Sequence, residues 1–412
     1  MSEEKLVPKL RFSGFDDEWE EVKLGEISTF LDNKRIPLKE DDRKHMQGEY
    51  PYYGASGIID YVNDYIFDEE LILMGEDGAN IVTRSSKLIF LAKGKYWVNN
   101  HAHVIKANDD INQYFLSESL EKINYEKYNT GTAQPKLNRE VCQKIKVKIP
   151  KFNEQNKIAN FLSNLDGKIE LLEQKYLKYK DFKKYLMQQI FAQKLRFAEF
   201  DDEWKPYKIG DISKTYSGGT PSTSKREYYE GDIPFIKSGE INKEVTEQYI
   251  TEDAINNSSA KRVQKGDLLL ALYGATSGEV AISKINGAIN QAVLKIDNDM
   301  DNYFQYCYFL MYKDQIVHKY LQGGQGNLSA NIIKKLEFKY PSLDEQKKIS
   351  QFFMSIENKL ELYKNKIQKY NNFKKGLLQQ MFNYMRILYN LVGILIFLDY
   401  LLIFLIVFHI LY

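Results

Sequence analysis

Lys9-Leu10-Arg11-Phe12 opens a stretch that continues through Phe15-Asp16-Asp17-Glu18-Trp19 to Lys23-Leu24-Gly25-Glu26-Ile27-Ser28. Lys194-Leu195-Arg196-Phe197 opens its double, through Phe200-Asp201-Asp202-Glu203-Trp204 to Lys208-Ile209-Gly210-Asp211-Ile212-Ser213. The offset, about 185 residues, is far longer than the period of a solenoid or propeller, so each copy heads a whole module. A second repeat closes each module. Pro150 to Phe191 carries Glu154-Gln155, Phe161, Lys178-Tyr179, Phe182-Lys183-Lys184 and Gln188-Gln189, and Pro341 to Phe382 carries Glu345-Gln346, Phe352, Lys369-Tyr370, Phe373-Lys374-Lys375 and Gln379-Gln380. Between these matched ends lie two middles that barely resemble each other. Such a frame suits a protein that reads two different things in a fixed relation.

The closing repeats read as helices. Pro150 and Pro341 each end a strand-like run, Asn153 and Asp344 are placed as N-caps, and Glu154 and Glu345 favour the first turn. One apolar stripe then runs to the end without a proline: Ile158, Phe161, Leu165, Ile169, Leu172, Tyr176, Tyr179, Phe182, Leu186, Ile190 in the first copy. The second copy has Ile349, Phe352, Ile356, Leu360, Tyr363, Ile367, Tyr370, Phe373, Leu377, Met381, in the same order of three- and four-residue steps. That is a coiled-coil-like seam. At roughly 55 Å, from about 1.5 Å per residue, each helix overruns its own module, so the expected partner is the other helix. An antiparallel pair would place the modules about a pseudo-two-fold axis at the ends of a rigid spacer. The remaining faces are basic, with Lys157, Lys168, Lys175, Lys178, Lys180, Lys183 and Lys184 on one helix. The other carries Lys347, Lys348, Lys359, Lys364, Lys366, Lys369, Lys374 and Lys375. They read either as a solvated face or as a track for a phosphate backbone.

Composition limits the alternatives. A chain of 412 residues has room for two domains with real cores. Its net charge of +1 means that any case for nucleic-acid binding must be made locally. Cys142 and Cys307, one per module, read as reduced structural thiols. Met1-Ser2-Glu3-Glu4-Lys5 is polar and lacks an apolar signal core.

The middles, residues 20–150 and 205–341, read as short strands broken by glycine and polar turns. Leu71-Ile72-Leu73-Met74 runs into Gly75-Glu76-Asp77-Gly78-Ala79-Asn80, and Leu268-Leu269-Leu270-Ala271-Leu272 into Tyr273-Gly274-Ala275-Thr276-Ser277-Gly278. Asn100-His101-Ala102 falls where the second module has Asn290-Gln291-Ala292. Loops of this make-up on a rigid sheet suit base edges and phosphates, although glycine also serves ordinary turns. There is no adenine-methylation motif with paired prolines and no phosphate loop. His101 and His103 form a His-x-His pair without an evident third metal ligand. Nothing marks a catalytic carboxylate pair, so we expect no enzyme, no metal and no cofactor in this chain.

At this point the sequence resembles the specificity subunits of type I restriction-modification systems, over about residues 5 to 384. The paired Leu-Arg-Phe…Glu-Trp…Gly-Glu/Asp-Ile openings, the Gly274-to-Gly278 loop and the paired Pro…Glu-Gln…Phe helices carry the resemblance. It implies an α+β fold: two β-rich target recognition domains in pseudo-two-fold repeat, each followed by a long helix, the helices pairing as an antiparallel coiled coil. The expected layout is an N-terminal segment (1–19), recognition domains at 20–150 and 194–341, spacer helices at 151–193 and 342–386, and a tail at 387–412. The implied function is non-catalytic. Each domain reads half of a bipartite, asymmetric sequence in double-stranded DNA, with half-sites about one helical turn apart. Two methyltransferase subunits use S-adenosylmethionine to methylate adenine N6, and endonuclease-translocase subunits use ATP and Mg, all in the bacterial cytoplasm. Base-reading residues do not carry over from the resemblance. The expected readers, chosen from the loops, are Tyr53, Ser56, Glu76, Asp77, Asn80 and Gln134 in the first module. In the second they are Lys237, Ser238, Tyr273, Thr276, Ser277, Gln325 and Asn327.

The stretch from Leu388 to Tyr412 is apolar and long enough for a membrane span, with Asp399 and His409 its only titratable groups besides tyrosine. We read it as a frameshifted or read-through tail. The competing readings are a membrane anchor, which would make the chain a coiled-coil scaffold, and a segment folded on the helices. A stand-alone DNA-modifying enzyme is the other alternative.

Overall fold

The structure, a computed structural model, describes residues 6–131, 133–321, 327–382 and 384–386, so the tail from 387 lies outside the described residues. The chain divides by contact into two compact units: the residues through Leu172 together with those from Lys366, and Glu173–Asn365. The two spacer helices, Phe152–Phe191 and Leu343–Phe382, are therefore each shared between both units.

In the first unit, Leu71–Gly75 lies inside an antiparallel sheet in the order Ser28–Phe30, Ala102–Ala107, Leu71–Gly75, Ile89–Ala92. Alternate side chains of a strand face opposite ways. Leu71 and Leu73 meet Tyr96, Val98 and Val104 in one core. Ile72 and Met74 join Phe115, Leu116 and Leu120 in another. Burial on both faces is why this strand reads as an unbroken apolar run. A second sheet has the order Gly57–Val62, Gln47–Gly54, Lys95–Val98, Phe67–Asp68, its middle pair parallel. Glu20–Lys23 pairs with Lys146–Ile149 at the base.

The second unit repeats this plan. Its antiparallel sheet is Ser213–Ser217, Val293–Asn298, Leu268–Ala271, Val280–Ile282, and its second sheet Tyr249–Ile250, Ile233–Ile236, Gly287–Ile289, Lys261–Val263, again with a parallel middle pair. Lys205–Lys208 pairs with Glu337–Tyr340.

The repeated motifs hold each frame. Arg11 grips Glu154 through Nε and Nη2, both at 2.7 Å, and Arg196 grips Glu345 at 2.8 and 2.7 Å. Gln155 donates to the Pro150 carbonyl and Gln346 to that of Pro341. Phe12 meets Phe161 edge-on at 5.5 Å, and Phe197 meets Phe352 at 5.7 Å. Both helices begin before the expected caps, because Lys151 and Ser342 carbonyls already accept the first helical N–H groups. Asn153 and Asp344 sit in the first turn instead. Leu10 N–H donates to the Gln380 carbonyl as Leu195 N–H does to that of Gln189, so each opening motif starts from the end of a spacer helix.

The helices pair antiparallel. In the first unit Lys374 meets Asp166, and in the second Tyr179 meets Tyr363 and Lys183 meets Glu357, partner numbers falling as their own rise. Each helix end completes a module core: Leu377, Met381 and Phe382 enter the first, Leu186, Ile190 and Phe191 the second. The seam departs from expectation at Phe182, which is half exposed while Lys183 is buried beside it. Lys183 and Lys374, expected on the basic face, are both buried and ion-paired to acids across the helix pair. In both helices the seam steps four residues and then three at this point, through Tyr179, Lys183 and Leu186 and through Tyr370, Lys374 and Leu377.

Candidate DNA interface

In the first module the expected readers occupy two neighbouring places. The hairpin joining Gln47–Gly54 to Gly57–Val62 turns at Ala55 and Ser56, with Gly57 at φ 126°, a conformation that favours glycine. Ser56 is exposed at its tip. Tyr53 is half-buried against Phe90 and Tyr96, and burial raises its phenol pKa. Ile58, Ile59 and Tyr61 stand exposed on the returning strand. Their exposure was not evident from the sequence, where Gly-Ile-Ile-Asp-Tyr-Val reads as ordinary strand; exposed apolar groups of this kind suit a thymine methyl.

Beyond Leu71–Gly75, the loop from Glu76 to Asn80 is tied into its neighbours. A Cβ on Gly75 would lie 2.5 Å from the Ala55 carbonyl, so only glycine lets hairpin and loop approach. Glu76 accepts from Arg35 Nη1 at 2.7 Å and pairs with Lys136 Nζ at 3.3 Å. Asp77 meets the His101 ring at 2.8 Å. Asn80 accepts from Ser86 N–H at 3.0 Å and donates to the Lys87 carbonyl. These three side chains thus already have protein partners, whereas Gln134, on the adjoining loop, is exposed. His101 and His103 do not converge as metal ligands: His101 is at the surface on Asp77, and His103 is buried on Asp32.

In the second module Tyr273 packs against the core, and Gly274 and Gly278, with φ of 78° and 84°, shape the turn that carries Thr276 and Ser277. Ser277 Oγ donates to the Leu272 carbonyl at 2.9 Å, which fixes the turn. Lys237 lines a hollow of about 260 Å³ with Thr220, Thr223, Tyr229, Gln248 and Asn290, and Ser238 follows it half-buried. Thr220 donates to Gln291 at 2.6 Å. Asn327 is exposed, and Gln325 lies outside the described residues. The hollow was not foreseen; Ser217-Gly218-Gly219-Thr220 could have signalled it, because a Cβ on Gly218 would sit 1.7 Å from the Ile289 carbonyl.

On the spacer helices Lys168, Lys175, Lys178, Lys180 and Lys184 are exposed, as are Lys359, Lys364, Lys366, Lys369 and Lys375. Both cysteines are buried and free, and burial pushes the Cys307 thiol up to about 12. Among the described residues no helix is long and apolar enough to cross a membrane.

Residues 16–179 and 201–372 match the model of the type I restriction modification DNA specificity domain, once per module. A Haemophilus influenzae protein named as a type I restriction enzyme specificity subunit is 28% identical over 381 residues, covering 86% of this chain and 90% of that protein. The MjaVIII specificity subunit of Methanocaldococcus jannaschii is 23% identical over 404 residues, 88% of this chain and 91% of its own. The crystal structure of the type I restriction-modification S subunit from M. genitalium superposes with a TM-score of 0.65 at 15% identity, covering 92% of this chain and 100% of that one.

Proposed function

The chain belongs to the type I restriction-modification DNA specificity family, and from that premise we propose that each module reads one half of a bipartite, asymmetric DNA sequence. It is the non-catalytic DNA specificity subunit of such a system, assembling with the other subunits and with DNA. We take those subunits to be two methyltransferase copies, which bring S-adenosylmethionine for adenine-N6 methylation, and ATP- and Mg-dependent endonuclease-translocases, all in the bacterial cytoplasm. The helix pair would set the gap between half-sites.

One observation carries this reading. The two units keep the same sheets and the same Arg–Glu, Gln–Pro and Phe–Phe contacts, yet carry different side chains in corresponding loops. An exposed apolar hairpin in one and a Lys-Thr-Gln-Asn hollow in the other would recognise different base edges. Base reading falls first to Ser56, Tyr53, Gln134, Ile58 and Ile59, and to Lys237, Ser238, Thr276 and Asn327. Glu76, Asp77, Asn80 and Ser277 would act by holding loop shape.

Co-expression with the genomic methyltransferase subunit, followed by single-molecule mapping of N6-methyladenine, tests this. The expected result is one bipartite motif with a fixed gap, methylated on both strands. A continuous motif, or none from an assembled complex, would overturn it.

A further inference from the structure

His103 is 1% exposed, and both of its ring nitrogens are engaged. Nδ1 lies 2.7 Å from Asp32 Oδ2, and Nε2 lies 2.8 Å from the Leu137 carbonyl oxygen. A carbonyl oxygen can only accept, so Nε2 carries a proton. Asp32 accepts the Val104 N–H at 2.9 Å through its other oxygen and has Arg35 at 3.8 Å, the surroundings of a carboxylate, so Nδ1 carries a proton too. The charged groups around the ring are Asp32 and Arg35 from the turn after Ser28–Phe30, and Glu76 at 3.8 Å from the loop. Lys136 reaches the cluster through Glu76, Cys142 faces the ring from the helix Arg139–Gln143, and the Phe30 ring stands edge-on at 5.7 Å. Burial alone lowers the pKa of the ring, but the hydrogen bond to the Asp32 carboxylate, the contact with Cys142 and the charge of Asp32 raise it to about 10.

The sister module shows that the fold does not need this ion. Leu294 holds the corresponding strand position, opposite Leu270 as His103 is opposite Met74, and it is fully buried without any charge. What the ion adds in the first module is a tether from the ring to the Leu137 carbonyl, beside backbone bonds of which the sister module keeps two, Leu328 N–H to the Leu272 carbonyl and Leu272 N–H to that of Ala292. Leu137 N–H donates to the Glu76 carbonyl, Gly78 N–H to that of Pro135, and Glu76 N–H to that of His101. Arg35 reaches Glu76 and the Ala102 carbonyl. The ring thus anchors one end of a closed circuit through both loops of the candidate interface.

We propose that His103 is a positioning residue for DNA reading by the first module. Its doubly donating ring, clamped between the Asp32 carboxylate and the Leu137 carbonyl, holds the 76–80 loop and the 133–137 segment in one arrangement, so that the hairpin and Gln134 meet base edges in register. This rests on the proposed function, and the test keeps the two apart.

The variant is Asp32→Asn/His103→Leu, which copies the sister module's leucine and leaves no unpaired buried carboxylate. The methylation motifs of wild-type and variant complexes are compared. The expected outcome is a motif relaxed at one or two positions of one half-site, with at least about tenfold loss of discrimination there, while the other half-site and the gap stay unchanged. A folded variant with an unchanged motif, or with both half-sites relaxed alike, overturns the proposal. A wild-type complex without a bipartite motif overturns the proposed function instead. In the full wild-type chain, ¹⁵N-histidine NMR at pH 8 should show both His103 nitrogens protonated. A neutral ring there overturns the proposal even if the variant does not fold.

Discussion

Arg11 and Glu154 explain why the opening and closing repeats come as a set. The Glu154 side chain is 2% exposed and its charge is met by a two-pronged guanidinium. Removing the cation would strand a carboxylate in the core. Arg11→Ala should therefore cost about 3–5 kcal/mol, read by urea unfolding, whereas Arg11→Met with Glu154→Gln should recover much of the loss. His103 gives a pH signature. Its folded pKa, about 10, lies above the ordinary 6.5, so its contribution is complete below about pH 6.5 and fades as pH rises toward 10. Asp32 is also desolvated, but His103, Val104 N–H and Arg35 hold its pKa below 3.8, so its contribution is present above that value and is lost only as pH falls through the depressed pKa. Thermal melts of the wild-type chain should thus move down between pH 7 and 9.5. Asp32→Asn/His103→Leu should flatten that slope.

The spacer helices show how much of the architecture is legible in sequence and where legibility stops. Their matched stripes marked the helices, their near-equal lengths and a seam for pairing, because a helical period is a local signal, whereas the antiparallel direction was implied by the family resemblance. The same stripes did not show which end of each helix enters which module. That depends on packing between residues far apart in the chain, such as Phe191 with Phe304 and Tyr308 at 5.3 and 4.5 Å, or Phe382 with Phe115 at 5.6 Å. Lys183 and Lys374 misled the reading for a related reason: a lysine reads as surface unless its buried partner is known. The site was less legible still. Glycine turns located the loops, but whether Glu76 faces solvent or Arg35 is not encoded locally. The helix ends yield a direct prediction. Phe191 follows the first module in sequence yet sits in the core of the second. Phe191→Ala should cost about 3–5 kcal/mol. Hydrogen exchange should place the loss of protection in residues 205–340, with 20–150 unaffected; loosening of the first module would refute this assignment of cores.

A net charge of +1 spread over 412 residues cannot by itself draw the chain to DNA, so grip and reading must be separated on its surface. The exposed lysines of the spacer helices carry charge without shape, since they are long, flexible and free of the recognition loops. The Lys237 hollow carries shape as well, with Thr220, Gln248 and Asn290 placed around a single cation. Substitution should tell the two apart in the assembled complex. Lys175→Ala with Lys178→Ala and Lys180→Ala takes positive charge away from the phosphate backbone, so affinity should fall alike for every sequence. The slope of log K against log salt should shrink by about 0.9 for each phosphate that is no longer neutralised. Lys237→Ala should leave most of that slope standing and instead cost about 1–3 kcal/mol at one position of one half-site. Fluorescence anisotropy over a salt series, on cognate DNA and on singly altered half-sites, reads both quantities. If the helix lysines instead changed sequence preference while Lys237→Ala weakened every DNA equally, grip would belong to the modules and reading to the helices, contrary to the division drawn from the structure.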